Sequence, residues 1–182
     1  NILNALPVIG FCLEAGLSLE RIQEGLAVFR GAGRRFEIKG EFDGVTIIDD
    51  YGHHPNEIKA TLEAATSLGA RRVIVVFQPH RYSRTMFLSQ EFGRCFENCD
   101  KLFITDIYAA SEKPIPGVTS KIILDNMPVS NRRKVKMVRN VDDVKYHLLN
   151  YVEPGDVIFT IGAGSITRVG PEILEFMKAR SL

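Results

Sequence analysis

No apolar stretch in this chain reaches the ~18 residues that a membrane-crossing helix needs, which rules out a helical span. Charge of neither sign dominates: 23 basic and 22 acidic residues leave a net charge of +1, which gives no bulk attraction for nucleic acid or an anionic membrane. The one basic run, Asn131-Arg132-Arg133-Lys134, reads as a solvated loop. Cysteine is scarce. Cys12, Cys95 and Cys99 are an odd count without metal-ligand spacing. Cys95 and Cys99 stand one helical turn apart in an apolar stripe and are expected to be buried free thiols in a reducing cytoplasm. Internal repeats and low-complexity tracts are absent. An initiator methionine and a signal-peptide pattern are absent too, and the chain opens on the helix-like Asn1-Ile2-Leu3-Asn4-Ala5-Leu6, which leads us to expect a piece of a longer protein.

What is present alternates. Residues 2 to 15 and 19 to 29 have helical periodicity, the second stretch opened by Ser18 as an N-cap. Gly31-Ala32-Gly33 breaks that region. Strands are expected at 36–42 and 45–50, joined by an Asp43-Gly44 turn, a strong hairpin signal. Pro55 opens a helix that runs to about Leu68 and stops at Gly69. Strand 72–77, helix 85–98, strand 101–107, helix 118–125, strand 134–138, helix 141–151, strand 156–161 and helix 166–179 follow. Strands separated by helices of this length demand crossover connections. The expected fold is therefore α/β, with a mostly parallel six-stranded sheet, helices on both faces, the first strand antiparallel at one edge and a short helical segment in front.

Two clusters carry the chemistry. Asp49-Asp50-Tyr51-Gly52-His53-His54-Pro55 follows the apolar run Val45–Ile48, and Gln78-Pro79-His80-Arg81-Tyr82-Ser83-Arg84 follows Val73–Phe77. Strand ends of this kind deliver polar side chains to the carboxyl edge of a sheet, where open α/β folds bind ligands. Adjacent Asp49 and Asp50 point to opposite faces, so one of them faces the cleft, where it accepts from hydroxyls or orients a cation; the alternative is that one caps the helix at Pro55. His53 and His54 have a metal-ligand chemistry without a third ligand at helical spacing, and otherwise bond a ligand or their own helix start. Arg81 and Arg84 lie three apart at a helix opening and form an anion receptor with the helix N-terminus. Arginines there oppose the macrodipole, a local conflict that argues for function. Arg34-Arg35 read equally well as a phosphate contact or a solvated pair. Gly162-Ala163-Gly164-Ser165 opens the last helix, with Ser165 either its N-cap or a ligand contact.

Taken together, the clusters resemble the Mur ligases, and within that family the branch that adds L-alanine. The strings that carry the likeness are Asn1–Leu6, Gly33-Arg34-Arg35-Phe36-Glu37, Asp49–Pro55, Phe77–Thr85, Asp106-Ile107-Tyr108-Ala109-Ala110 with Pro114-Ile115-Pro116-Gly117, and Gly162-Ala163-Gly164. The His53-His54-Pro55 motif also occurs in the related murein-peptide recycling ligase, while Pro79-His80-Arg81-Tyr82-Ser83-Arg84 favours the alanine-adding branch.

The resemblance implies three domains, of which residues 1–33 would be the helical end of the central ATPase domain. Residues 34–182 would be the whole C-terminal, Rossmann-like, amino-acid-binding domain. No Gly-Lys-Thr phosphate loop occurs in the chain, and the family's Mg²⁺ ligands lie mostly upstream, so the chain alone is not expected to turn over. It implies an ATP-dependent, cytoplasmic enzyme: ATP phosphorylates the carboxylate of UDP-N-acetylmuramate, and the amine of L-alanine attacks the acyl phosphate. By motif position Asn1 and Asn4 contact adenine, Arg35 reaches the γ-phosphate and Asp50 accepts from ribose hydroxyls. Tyr51, His80, Arg81, Arg84 and Ser165 hold L-alanine, with Arg35 and His80 nearest the chemistry. Residues 31 to 34 are the implied hinge for closure onto the central domain. A non-catalytic amino-acid or nucleotide sensor, and a metal hydrolase built on Asp50, His53 and His54, are the readings from other classes.

Overall fold

A computed structural model of the chain describes residues 2–29 and 32–180. By its internal contacts it divides into two compact units, Asn1–Gly33 and Arg34–Leu182. Asn1 and Gly31 lie outside the described residues, as does the side chain of Asn4.

The first unit is a helix pair, α1 (Ile2–Glu14) and α2 (Leu19–Val28). Gly16, at φ 82°, makes the turn between them, and the Ser18 hydroxyl accepts from the amide of Arg21 at 3.5 Å to cap α2. Its large apolar side chains are mostly exposed, Phe11 at 73% and Phe29 at 67%.

The second unit is built on β1 (Glu37–Phe42), β2 (Val45–Asp50), β3 (Arg72–Phe77), β4 (Lys101–Ile104), β5 (Val135–Met137) and β6 (Asp156–Ile161), in the spatial order β1-β2-β6-β3-β4-β5. Only the β1–β2 pair is antiparallel, its two-residue turn made by Asp43 at φ 49° and Gly44 at φ 70°, the left-handed pair that such a hairpin requires. Because strand side chains alternate, β3 sends Val73, Val75 and Phe77 to one layer and Ile74 and Val76 to the other. The first layer is covered by α3 (Pro55–Ala65), α5 (Ser89–Arg94) and α6 (Lys121–Asp125), the second by α8 (Val144–Leu148) and α9 (Val169–Arg180). The expected α/β architecture, with its antiparallel edge and helices on both faces, is what the chain adopts.

Differences are local. The helix expected over 85–98 starts earlier and breaks into α4 (Tyr82–Phe87) and α5, because Leu88 leaves helical angles (φ −105°, ψ 20°) while its side chain packs on the first layer. A single turn, α7 (Val129–Arg132), follows Pro128 and is too short for periodicity to reveal. Cys95 and Cys99 are buried free thiols, as expected. Among the described residues no helix is long and apolar enough to cross a membrane.

The strand order places the site. Chain leaving β2 and β3 passes to the first layer, whereas chain leaving β6, which lies between them, passes to the second. Neighbouring strands whose connections part in this way leave a crevice at their carboxyl ends.

Candidate active site

The β2 end meets the crevice first. Asp49 and Asp50 are both buried, at 0% and 4% exposure. Asp49 accepts from Arg34 Nε at 2.8 Å and from the hydroxyls of Thr160 at 2.8 Å and Thr167 at 3.0 Å. Asp50 accepts the amides of Gly52 at 2.8 Å on one oxygen and of Phe36 at 2.9 Å on the other. Neither carboxylate stands open, so the pair braces the strand end. Gly52 suits that brace, since a Cβ there would lie 2.8 Å from Asp50 Oδ1 and push the carboxylate aside.

Of the two neighbouring arginines, Arg34 is taken up by the fold. At φ 60° it bonds Asp49, gives an Nη2 proton to the Gly162 carbonyl at 2.6 Å, and stacks its guanidinium 5.0 Å from the Tyr51 ring centre. Arg35 is exposed, 5.9 Å from the same ring, and among the described residues its polar contact is with Glu57 at 3.5 Å.

The histidine pair divides its labour. His54 caps α3, its Nδ1 accepting from the Asn56 amide at 3.3 Å; the capping aspartate considered from the sequence is not used. Glu57 accepts the amides of His53 at 2.9 Å and His54 at 3.1 Å, closing a capping box. Partial burial pushes the Glu57 carboxyl up, but those two amides bring it below the usual glutamate value. His53 turns to the crevice and links two of the expected site residues: its ring lies 5.4 Å from Tyr51 and 6.0 Å from His80.

At the β3 end the chain carries His80, Arg81 and Arg84. His80 stacks on Tyr108 at 5.7 Å and 23°, and Arg84 Nη1 lies 3.2 Å from His80 Nδ1. Burial, then the charges of Arg84, His53 and Arg81, push the His80 pKa below its ordinary 6.5, with Glu112 opposing. Arg81 is not helical: it precedes α4 at φ 73°, ψ 137°, so it does not share a helical face with Arg84. Nor do the arginines face an uncompensated helix start. The Glu112 carboxylate accepts from the Ser83 amide at 3.0 Å and hydroxyl at 2.6 Å, so the start of α4 already has its anion.

Ser165 is not an N-cap. It begins a 3₁₀ turn (Ser165–Arg168) whose cap position is Gly164, and its hydroxyl accepts from Gln78 Nε2 at 3.0 Å while Gln78 Oε1 accepts the Ile166 amide at 3.0 Å. Gly164 lies so close to Tyr108 that a Cβ there would sit 2.5 Å from the ring's Cγ. Tyr51, His53, His80, Tyr108 and Ser165 thus form one continuous edge with Arg81, Arg84 and Arg35 around it. Asn1 and the Asn4 side chain fall outside the described residues.

Comparison with known proteins identifies the family. A family model described as "Mur ligase, glutamate ligase domain" matches residues 34–164. The chain belongs to the Mur ligase family. Among curated relatives, a UDP-N-acetylmuramate–L-alanine ligase of Nitratidesulfovibrio vulgaris is 53% identical over 171 residues, covering 93% of this chain. This chain spans 38% of that relative's length. Among solved structures, a UDP-N-acetylmuramate–alanine ligase of Thermotoga maritima superposes with a TM-score of 0.80 at 27% identity, over 99% of this chain and 38% of that one. A murein peptide ligase of Psychrobacter arcticus, at 24% identity, shares the fold with a TM-score of 0.71 over 97% of this chain and 36% of that one.

Within this Mur ligase domain, several structural partners carried no role in the sequence reading. The His54-x-x-Glu57 spacing is that of a capping box and was legible, whereas Glu112 is 29 positions from Ser83 and no local pattern signals it. Among the described residues no group of three or more His, Cys, Asp or Glu is arranged to hold a metal ion. A cleft of about 440 Å³ opens beyond the ends of β4 and β5, between Asp106, Ser120, Lys121 and Arg139. None of the expected site residues line it; the candidate site is an open edge.

Proposed function

We propose that this chain is the C-terminal part of a cytoplasmic, ATP-dependent ligase of peptidoglycan synthesis that joins L-alanine to UDP-N-acetylmuramate. The observation that carries the reading is the 53% identity, across 93% of the chain, to a ligase of that name. Residues 1–33 then belong to the central ATPase domain, and the exposed apolar side chains of the helix pair suit packing on upstream chain. ATP supplies the driving force for amide formation when bound, and its Mg²⁺ is held mostly by residues upstream. Arg35, exposed and weakly engaged, suits a phosphate contact. Asp50, with both oxygens given to backbone amides, suits bracing the strand end better than contacting ribose.

The edge residues fit an amino-acid receptor. Arg81 and Arg84 neutralise the carboxylate of L-alanine, which orients the amine toward the activated carboxyl. A guanidinium can only donate, so the contact with Arg84 makes His80 Nδ1 an acceptor and puts the ring proton on Nε2. In that tautomer His80 donates to a bound anion rather than abstracting a proton. Tyr51, 37% exposed, and Tyr108 wall the site and exclude bulkier side chains. Closure on the central domain would exclude water.

The test is ADP release with ATP, Mg²⁺, UDP-N-acetylmuramate and L-alanine, comparing this chain with a version extended upstream to its natural start. Turnover by the extended protein only, and only with all substrates present, is the expected result. Turnover with L-alanyl-D-glutamyl-diaminopimelate in place of L-alanine would move the assignment to the recycling ligase. An inactive extended protein beside a chain that hydrolyses something alone would overturn the ligase reading.

A further inference from the structure

The segment that carries the cationic groups is held from two sides: α4 holds the Arg81 carbonyl through the Thr85 amide at 3.1 Å and hydroxyl at 2.8 Å, and the chain after β4 holds the rest. After β4 the chain runs beside residues 77–81 as an irregular parallel extension of the sheet. The Thr105 amide bonds the Phe77 carbonyl at 3.0 Å, the Tyr108 amide bonds the Pro79 carbonyl at 2.8 Å, and the Arg81 amide bonds the Tyr108 carbonyl at 2.8 Å. The chain then turns back through Ala110 and Ser111, both left-handed at φ 48° and 70°, with the Glu112 amide on the Ala109 carbonyl at 3.0 Å. That turn delivers the Glu112 carboxylate onto the Ser83 amide and hydroxyl.

Arg81 lies between these anchors at φ 73°, a conformation that a non-glycine residue keeps only where its surroundings over-determine it. The Tyr108 carbonyl holds it on one side, and Glu112, through Ser83, fixes the chain two residues on. Among the described residues no ion pair joins Glu112 to Arg81 or Arg84, although the Arg81 charge acts on it. The Ser83 hydroxyl, then the Ser83 amide, hold the Glu112 carboxyl below the usual glutamate value, so it stays ionised at neutral pH.

Resting on the ligase reading above, we infer that Glu112 is a positioning residue for the amino-acid carboxylate. It anchors the start of α4, sets the directions of Arg81 and Arg84, and balances charge at the helix start without itself pairing with either guanidinium, so Arg81 and the Arg84 N–H groups not turned to His80 can meet a ligand. Its contribution is to the geometry of the anion receptor, so it shows in the affinity for the amino acid and not in the chemical step.

The experiment is steady-state kinetics of the full-length ligase carrying Glu112→Gln, Ser83→Ala and both together, with Arg81→Ala as reference. Glu112→Gln is expected to raise the KM for L-alanine about tenfold, leaving kcat and the KM values for ATP and UDP-N-acetylmuramate within about twofold. Ser83→Ala, which deletes only a hydroxyl, is expected to move the same constant in the same direction. The double variant should be no worse than the worse single one, because the two residues form one contact. Glu112→Asp, which keeps the charge, should recover part of the affinity if re-seated. An unchanged KM for L-alanine in both single variants overturns the inference, as does a parallel rise of every KM with a fall in kcat, the signature of general damage. If Arg81→Ala shifts the L-alanine KM while Glu112→Gln and Ser83→Ala do not, the inference falls and the ligase reading stands. If Arg81→Ala leaves it unmoved too, the amino-acid receptor falls and the role of Glu112 falls with it.

Discussion

Arg84 lies four residues after His80, inside α4, and points its Nη1 at the ring's Nδ1, 3.2 Å away. A fixed cation on that nitrogen disfavours protonation of the ring. The contact therefore ties the charge state of the histidine to the anion-binding arginine beside it.

Stability should follow. The folded His80 titrates below 6.5, its ordinary value, through burial and the charges of Arg84, His53 and Arg81, against Glu112. Between the folded and unfolded values the unfolded chain binds more protons, so this contribution is full above about pH 6.5 and is lost as the pH falls toward the folded pKa. Urea unfolding of the 182-residue chain at about pH 7 and 5.5 should show a larger loss for wild type than for His80→Gln. Equal losses would remove His80 as the source. Glu57 and Glu112, both held below the usual value, act at lower pH and are common to both proteins.

Asp49→Ala should destabilise the chain by about 3 kcal/mol, because it strips a buried acceptor from Arg34, Thr160 and Thr167 together. Asp49→Asn, which keeps an acceptor of the same shape, should cost less. The midpoint of denaturant unfolding reports both, and a loss under about 1 kcal/mol for the alanine variant would show that the brace is dispensable.

Gly164→Ala puts a methyl 2.5 Å from Tyr108 Cγ and 2.6 Å from Gln78 Oε1. Overpacking of this kind costs about 1–3 kcal/mol and should unseat Tyr108 from His80. In the full-length ligase the expected result is a raised KM for L-alanine, with the ATP constant little changed. A crystal structure of the variant with Tyr108 still stacked would contradict the coupling.

Thiol reactivity separates the cysteines. Burial pushes the Cys95 thiol far above its ordinary value and the Cys99 thiol up to about 12. Cys12 is only partly covered. Alkylation of the native chain near neutral pH should modify Cys12 alone, and all three after denaturation; rapid native labelling of Cys95 or Cys99 would show that the first layer opens.

Much of the fold was readable in order along the chain. Continuous runs of β-branched and apolar residues such as Val73–Phe77, the Asp43-Gly44 pair and Pro55 each act over a few residues, so their meaning survives without knowledge of the partner. The site was readable only as two clusters at strand ends. Which arginine of Arg34-Arg35 is consumed by the fold depends on Asp49 and on the Gly162 carbonyl, 128 positions away, and nothing local distinguishes them. The reading of Arg81 and Arg84 as neighbours on a helix failed because a backbone bond from β4's loop, not helical propensity, sets the angles of Arg81.

The sequence by itself determined the residue types at the sheet's carboxyl edge, the alternation of strands and helices, and membership of a recognisable family, since these rest on short-range periodicity and motif spacing. Only the tertiary structure decided which of those polar groups are spent inside the fold. Asp49, Arg34 and Gln78 are engaged by partners brought near through crossovers, Asp50 by Phe36 across the hairpin and by nearby Gly52, and His54 by its own helix start, while Arg35, Tyr51, His53, Arg81 and Arg84 remain at the open edge. The physical reason is that a buried polar atom must find a partner wherever the fold provides one, and the sheet order β1-β2-β6-β3-β4-β5 determines which partners come within reach.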